Sequence, residues 1–162
     1  MPGHLLGNQP PDSNGKVFVP HGVNRSGVEF TCVQGKGVFD GPVDDASVSA
    51  ITAWKADIVR VPLNEACWLG APNVPSQSGG AAYQSAIESF VSTLHKHGPA
   101  VILDLHWTDG STARPAWSTG PQDTNRGWGR DVLILGGVAY SSDLSQWLQH
   151  KPSDPRNNLV AS

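Results

Sequence analysis

The stretch "ADIVRVPLNEACWLG", residues 56–70, decides how the rest of the chain is read. Ile58, Val59, Val61 and Leu63 make a short apolar run that suits a strand buried on both faces. Arg60 lies inside that run as a permanent cation, costly there unless it is paired. Pro62 has no N–H to give a ladder, so the strand is expected to end there. Polar groups, Asn64 and Glu65 first, then gather in the following loop, where α/β folds keep their sites. The chain turns on whether Glu65 is a catalytic acid or only the end of a buried strand.

Working towards the N-terminus, "SNGKVFVPHGVNRSG" (13–27) reads as a small hairpin turning at Asn14-Gly15 and running into a first strand near His21–Asn24. The glycine-rich loop "CVQGKGVFDGP" follows. Asp44 or Asp45 then caps a helix with Val48, Ile51 and Trp54 on one face, which places Trp54 in the core. The strand at 57–63 is the second. After a Pro/Ser/Gly loop (71–80), Tyr83, Ile87, Phe90, Val91 and Leu94 fall at helical spacing, with Gly98 as the stop. "AVILDLHW" (100–107) is a third strand. From 110 to 130 turn formers dominate and no period shows. "DVLILGGVAY" (131–140) is a fourth strand, "SSDLSQWLQH" is weakly helical, and the tail from Lys151 looks extended.

Strands alternating with helices demand a parallel sheet with helices outside it. About four such strands fit a half barrel or a small open sheet. A closed eight-stranded barrel typically takes about 250 residues, and this chain has 162. Charged residues make up 15%, with 18 Gly, 13 Pro and 6 Trp, a balance that suits a loop-rich globular domain. A net charge of −3 without a Lys/Arg cluster argues against nucleic acid or anionic membranes as partners. No apolar stretch approaches a membrane span, and "MPGHLLGNQPPDSNGK" lacks the pattern of a signal peptide. That leaves a cytosolic protein, or one whose signal was removed and a starting Met added. Cys32 and Cys67 follow predicted strands in loops, either as free thiols or as a loop-to-loop disulfide that would imply an oxidising compartment.

Four stretches, "HGVNRSGVEFTCVQGKGVFDGP", "VRVPLNEACWLG", "VILDLHW" and "GGVAYSSDLSQWL", together resemble glycoside hydrolase family 5, particularly its bacterial cellulase-like members. Residues 5–115 resemble barrel units 1–3, 116–130 form an irregular junction, and 131–162 resemble the region of unit 6. The resemblance implies a (β/α)8 barrel, a retaining mechanism, β-1,4-glucan or cello-oligosaccharide substrates, an extracellular location and no cofactor. In the family an Asn-Glu-Pro motif after the fourth strand supplies the acid/base, and a glutamate after the seventh is the nucleophile. Asn64-Glu65 follows the second strand and precedes Ala-Cys-Trp, so the acid/base role does not transfer to Glu65. On this alignment both catalytic glutamates are missing, as in an internally deleted and C-terminally truncated barrel.

Retaining hydrolysis needs two carboxyl groups about 5 Å apart. Glu65 and Asp109 follow adjacent strands and are the candidate catalytic pair, while Asp104 lies within a strand and is expected to hydrogen-bond inside the fold. Arg60 and His106 match family positions that line the cleft around the nucleophile and the sugar. Arg60, lacking that nucleophile, must find another acid, stay wet or destabilise the fold. Trp68 and Trp107 are candidate platforms for sugar faces, and Asn64 and Glu29 complete the substrate-binding set. His95 and His97 are two apart at a helix end and do not share a face, so no metal site is expected there. "QGKG" and "GGVAY" lack the phosphate-loop and dinucleotide patterns, and "NRSGVEF" is not the serine hydrolase elbow. A cut barrel exposes two strand edges, so a homodimer or higher oligomer is expected, two four-stranded halves completing one barrel. The functional expectations are a minimal cellulase-like hydrolase, a non-catalytic β-glucan-binding remnant, or a purely structural half barrel.

Overall fold

The computed structural model describes residues 14–107, 132–135 and 159–161. Its core is a parallel sheet of β1 (Gly22–Asn24), β2 (Ile58–Asn64), β3 (Ala100–Trp107), β4 (Val132–Leu135) and β5 (Leu159–Ala161), hydrogen-bonded in that order. Five strands stand where about four were expected. The fifth comes from the tail read as extended, where Leu159, Val160 and Ala161 pair with Leu133, Ile134 and Leu135. Among the described residues β1 and β5 end the sheet rather than meeting, so the partial-barrel expectation holds as a parallel α/β sheet and not as a closed barrel.

Parallel neighbours need crossovers. Two helices serve the first pair of connections, α2 (Asp45–Ala53) between β1 and β2 and α4 (Ala81–His97) between β2 and β3. Two short helices, α1 (Val28–Thr31) and α3 (Glu65–Leu69), sit just past the ends of β1 and β2. The sequence read the segment after β2 as a loop, but Asn64 caps α3 by accepting the Cys67 N–H at 3.2 Å, which winds the chain at once. Gly70 closes α3 in the left-handed region and packs against Gly80, where an added Cβ would lie 3.1 Å from the Gly80 Cα.

Helix α4 follows its sequence pattern. Tyr83, Ile87, Phe90, Val91 and Leu94 are buried and Gly98 ends the helix. They pack with Val59, Val61, Leu63, Val101 and Leu103, the odd-numbered residues of β2 and β3, which share one face of the sheet. Each of these large apolar side chains contributes roughly 1.5–3 kcal/mol by leaving water. Asp44 is the residue that caps α2, accepting the Ser47 N–H at 2.9 Å.

Two expectations are corrected. Trp54 is not core: it is 77% exposed, because α2 ends at Ala53 and Trp54 caps it outside the helical phase of Val48 and Ile51. Nor does β2 end at Pro62, which pairs with Asp104 while the strand continues to Asn64. The Arg60 carbonyl accepts from Arg25 N on the β1 side at 2.8 Å, and alternate residues point the same way. The missing Pro62 donor therefore also faces β1, whose last paired residue is Asn24, so no ladder bond is lost. At the other end of the described chain, Gly15 has φ 77°, as a turn at Asn14-Gly15 requires; the hairpin arm before it lies outside the described residues.

Candidate functional site

Before the register shift at Asn64, the even-numbered residues of β2 and β3 lie on the face away from the helices, and Arg60, Asp104 and His106 make part of that face polar. Asn24, Arg60, Asp104 and His106 meet across three strands. Arg60 Nη1 donates to Asn24 Oδ1 at 2.7 Å, and Nη2 donates to Asp104 Oδ2. His106 Nδ1 lies 3.0 Å from Arg60 Nη2 and 3.1 Å from Asp104 Oδ2. The side chain of Asp104 is 8% exposed, that of Arg60 33% and that of His106 45%. The cation inside the apolar run has thus found an acid, and Asp104 hydrogen-bonds within the fold as expected. The cluster offers guanidinium and imidazole groups to solvent above a buried carboxylate, a surface suited to polar, hydroxylated ligands.

A second polar group lies inside the core. The register of β2 shifts between Leu63 and Asn64, and past it Asn64 is fully buried. Its amide donates to the Glu29 carbonyl at 2.8 Å, and its N–H is 3.2 Å from the Tyr83 hydroxyl, which in turn donates to the Val28 carbonyl at 3.3 Å. Burial raises the pKa of the Tyr83 phenol far above its ordinary value, so it stays a donor. Beside this group Cys32 and Cys67 form a disulfide with Cα atoms 6.2 Å apart, joining the end of α1 to α3. Ser78 Oγ donates to the Cys32 carbonyl at 3.3 Å.

The candidate residues therefore divide. Arg60 and His106 come together on the polar face. Glu29 and Glu65, 5% and 3% exposed, are buried on α1 and α3, and Trp68 is buried edge-on to Tyr83 with ring centroids 6.5 Å apart. Asn64 has its side chain committed to backbone partners. Trp107 closes β3, but its side chain, like the whole of Asp109, lies outside the described residues. Trp117, Trp128 and Trp147 lie outside them as well.

Sequence reasoning assigned no role to Asn24. Its signal was position: the last residue of a first strand is opposite whatever polar residue its neighbour places in register, here Arg60. The glycine-rich loop after α1 is pinned rather than open. Arg25 pairs with Asp40 at 2.6 Å and holds its carboxyl below the usual range, Thr31 Oγ1 donates to the Val38 carbonyl at 2.7 Å, and Phe39 packs edge-on against Phe90. At the C-terminus of α4, Lys96 and His97 both reach Asp45, at 2.8 and 2.7 Å. Among the described residues no group of three or more His, Cys, Asp or Glu is placed to hold a metal ion. No described helix is long and apolar enough to cross a membrane.

No protein-family model matches the chain, and no curated protein matches its sequence. Solved structures do. The catalytic domain of the major endoglucanase from Xanthomonas campestris pv. campestris aligns with a TM-score of 0.53 over 95% of this chain and 66% of its own, at 14% identity. The chain shares the fold of that domain. Pseudomonas stutzeri endoglucanase Cel5A in complex with cellobiose gives 0.52 over 95% of this chain and 61% of that one, at 16% identity. XacCel5A in complex with cellopentaose gives 0.51 over 86% and 63%, at 17% identity. The chain spans less than two thirds of the length of each. At these identities the likeness shows a fold shared with these cellulase-like domains over part of their length.

Proposed function

We propose that this chain binds β-1,4-glucan, taking a cello-oligosaccharide on the sheet face that carries Asn24, Arg60, Asp104 and His106. The observation that carries the reading is the placement of a partly exposed Arg60 and His106, held by Asp104, on the side of the sheet away from α2 and α4. Two proteins of the same fold have structures with cellobiose and cellopentaose. Trp107, next in sequence to His106, is the candidate platform for an apolar sugar face. Binding is read ahead of hydrolysis because Glu65 is enclosed within the fold, whereas a retaining site needs two carboxyl groups about 5 Å apart at the sugar. The Glu65/Asp109 pair remains the proposed source of any cleavage.

Two further parts of the reading concern setting. The buried Cys32–Cys67 bond supports an extracellular or otherwise oxidising location. The sheet ends at β1 and β5 support self-association into a homodimer; a monomeric mass at micromolar concentration would count against it.

The test is a calorimetric titration with cellotetraose, alongside a time course of its cleavage by the parent and by Glu65→Gln. Saturable binding that weakens about tenfold in His106→Ala, a loss of one or two hydrogen bonds, supports the reading. No heat at millimolar sugar overturns it. Cleavage by the parent and not by Glu65→Gln replaces it with a hydrolase whose acid is Glu65.

A further inference from the structure

The ion pair beneath His106 has a consequence for which ring nitrogen carries its proton. Resting on the glucan reading of this face, we propose that Asp104 is a positioning residue: it holds the neutral His106 ring in the Nδ1–H form and leaves Nε2 as a lone-pair acceptor for a substrate hydroxyl.

Nδ1 is nearly equidistant from two groups of opposite hydrogen-bonding character. Asp104 Oδ2, at 3.1 Å, can only accept, and Arg60 Nη2, at 3.0 Å, can only donate. Exposure decides between them. The carboxylate is 8% exposed, so its lone pairs depend on protein donors, and a buried acceptor left short is costly. The guanidinium is one-third exposed, so an N–H not used by His106 can be hydrated, and its Nη1 is already satisfied by Asn24 at 2.7 Å. The lower-cost arrangement has Asp104 Oδ2 accepting from both Arg60 and His106. Nε2 is then an unprotonated nitrogen on a side chain that is 45% exposed, and it accepts from a sugar O–H where the other tautomer would donate. Arg60, held by Asn24 and Asp104 on either side, supplies the complementary donors. The same face thus presents an acceptor and a donor side by side, as vicinal hydroxyls require.

The proton can be located directly. Histidine ring nitrogen–proton correlation spectra of the full chain, recorded at about pH 8 where an ordinary imidazole is neutral, distinguish the tautomers, and His106→Gln identifies the His106 signals. The expected result is Nδ1 protonated and Nε2 bare in the parent. In Asp104→Ala the nearest group to Nδ1 is the donor Arg60, so the proton moves to Nε2, and the cellotetraose dissociation constant rises about tenfold for one misdirected hydrogen bond. A parent ring protonated at Nε2 overturns the proposal, whether or not the variant folds. An unchanged tautomer in a folded Asp104→Ala overturns it as well. Cellotetraose added to the parent separates the two readings. A shift of the His106 Nε2 signal supports both; no shift with the expected tautomer removes the sugar and leaves Asp104 as the residue that orients the ring.

Discussion

Asn64 of β2 donates its side-chain amide to the Glu29 carbonyl of α1 at 2.8 Å while its oxygen caps α3 through the Cys67 N–H. One buried side chain therefore fastens the segments that follow two adjacent strands. Asn64→Ala removes both bonds and leaves the Glu29 carbonyl and the first turn of α3 without partners in the core. The expected loss is about 2–4 kcal/mol, the sum of a lost cap and an orphaned buried acceptor. Urea unfolding with the disulfide intact measures it; a midpoint unchanged from the parent would show that water takes over both roles.

The Cys32–Cys67 bond closes a segment with a sequence separation of 35. Chain-entropy arguments give about 4 kcal/mol for a loop of that size. Cys32→Ser together with Cys67→Ser is expected to lower stability by that order, seen as a lower melting temperature. Both cysteines are fully buried, so reduction of the parent by a mild thiol should track unfolding rather than precede it. Rapid reduction of the native protein would contradict this placement.

Trp68 and Trp54 make opposite predictions. Trp68 packs against Tyr83 and is almost fully enclosed, so Trp68→Ala is expected to cost about 3–5 kcal/mol. Trp54 stands in solvent, and Trp54→Ser should change stability by no more than about 0.5 kcal/mol. Parallel thermal melts of the two variants compare them; similar losses would mean that Trp54 packs against something in solution.

Asp45 at the start of α2 receives Lys96 and His97 from the end of α4, and both hold its carboxyl below the ordinary range. Because the folded value is depressed, its contribution is present above the unfolded value. It is lost as pH falls through the folded one, a window opening below about pH 4. Asp45→Asn should therefore flatten the acid limb of the stability profile, by a small amount since the pair is exposed and screened. A steeper acid limb in the variant would have the wrong sign for this contact.

The sequence by itself determined the alternation of strand and helix. Tyr83, Ile87, Phe90, Val91 and Leu94 at one helical face, the run from Ala100 to Trp107, and Gly98 as a stop are local patterns, and each reappears at its place. Local signals failed where the deciding partner is distant in the chain. Pro62 looked like an end because a missing donor is visible in sequence, while the absence of a neighbour for it to serve is not. Trp54 looked like core because periodicity does not show where a helix stops. Arg60 was seen to need an acid, but only the register of β1, β2 and β3 brings Asn24, Asp104 and His106 to it across 36, 44 and 46 residues. The pairing of Cys32 with Cys67 was likewise open until α1 and α3 came together past the ends of two paired strands. Periodicity belongs to neighbours along the backbone and survives in the sequence. Which polar groups share a face of a parallel sheet depends on strand order and register, fixed only when the crossovers pack and the core closes.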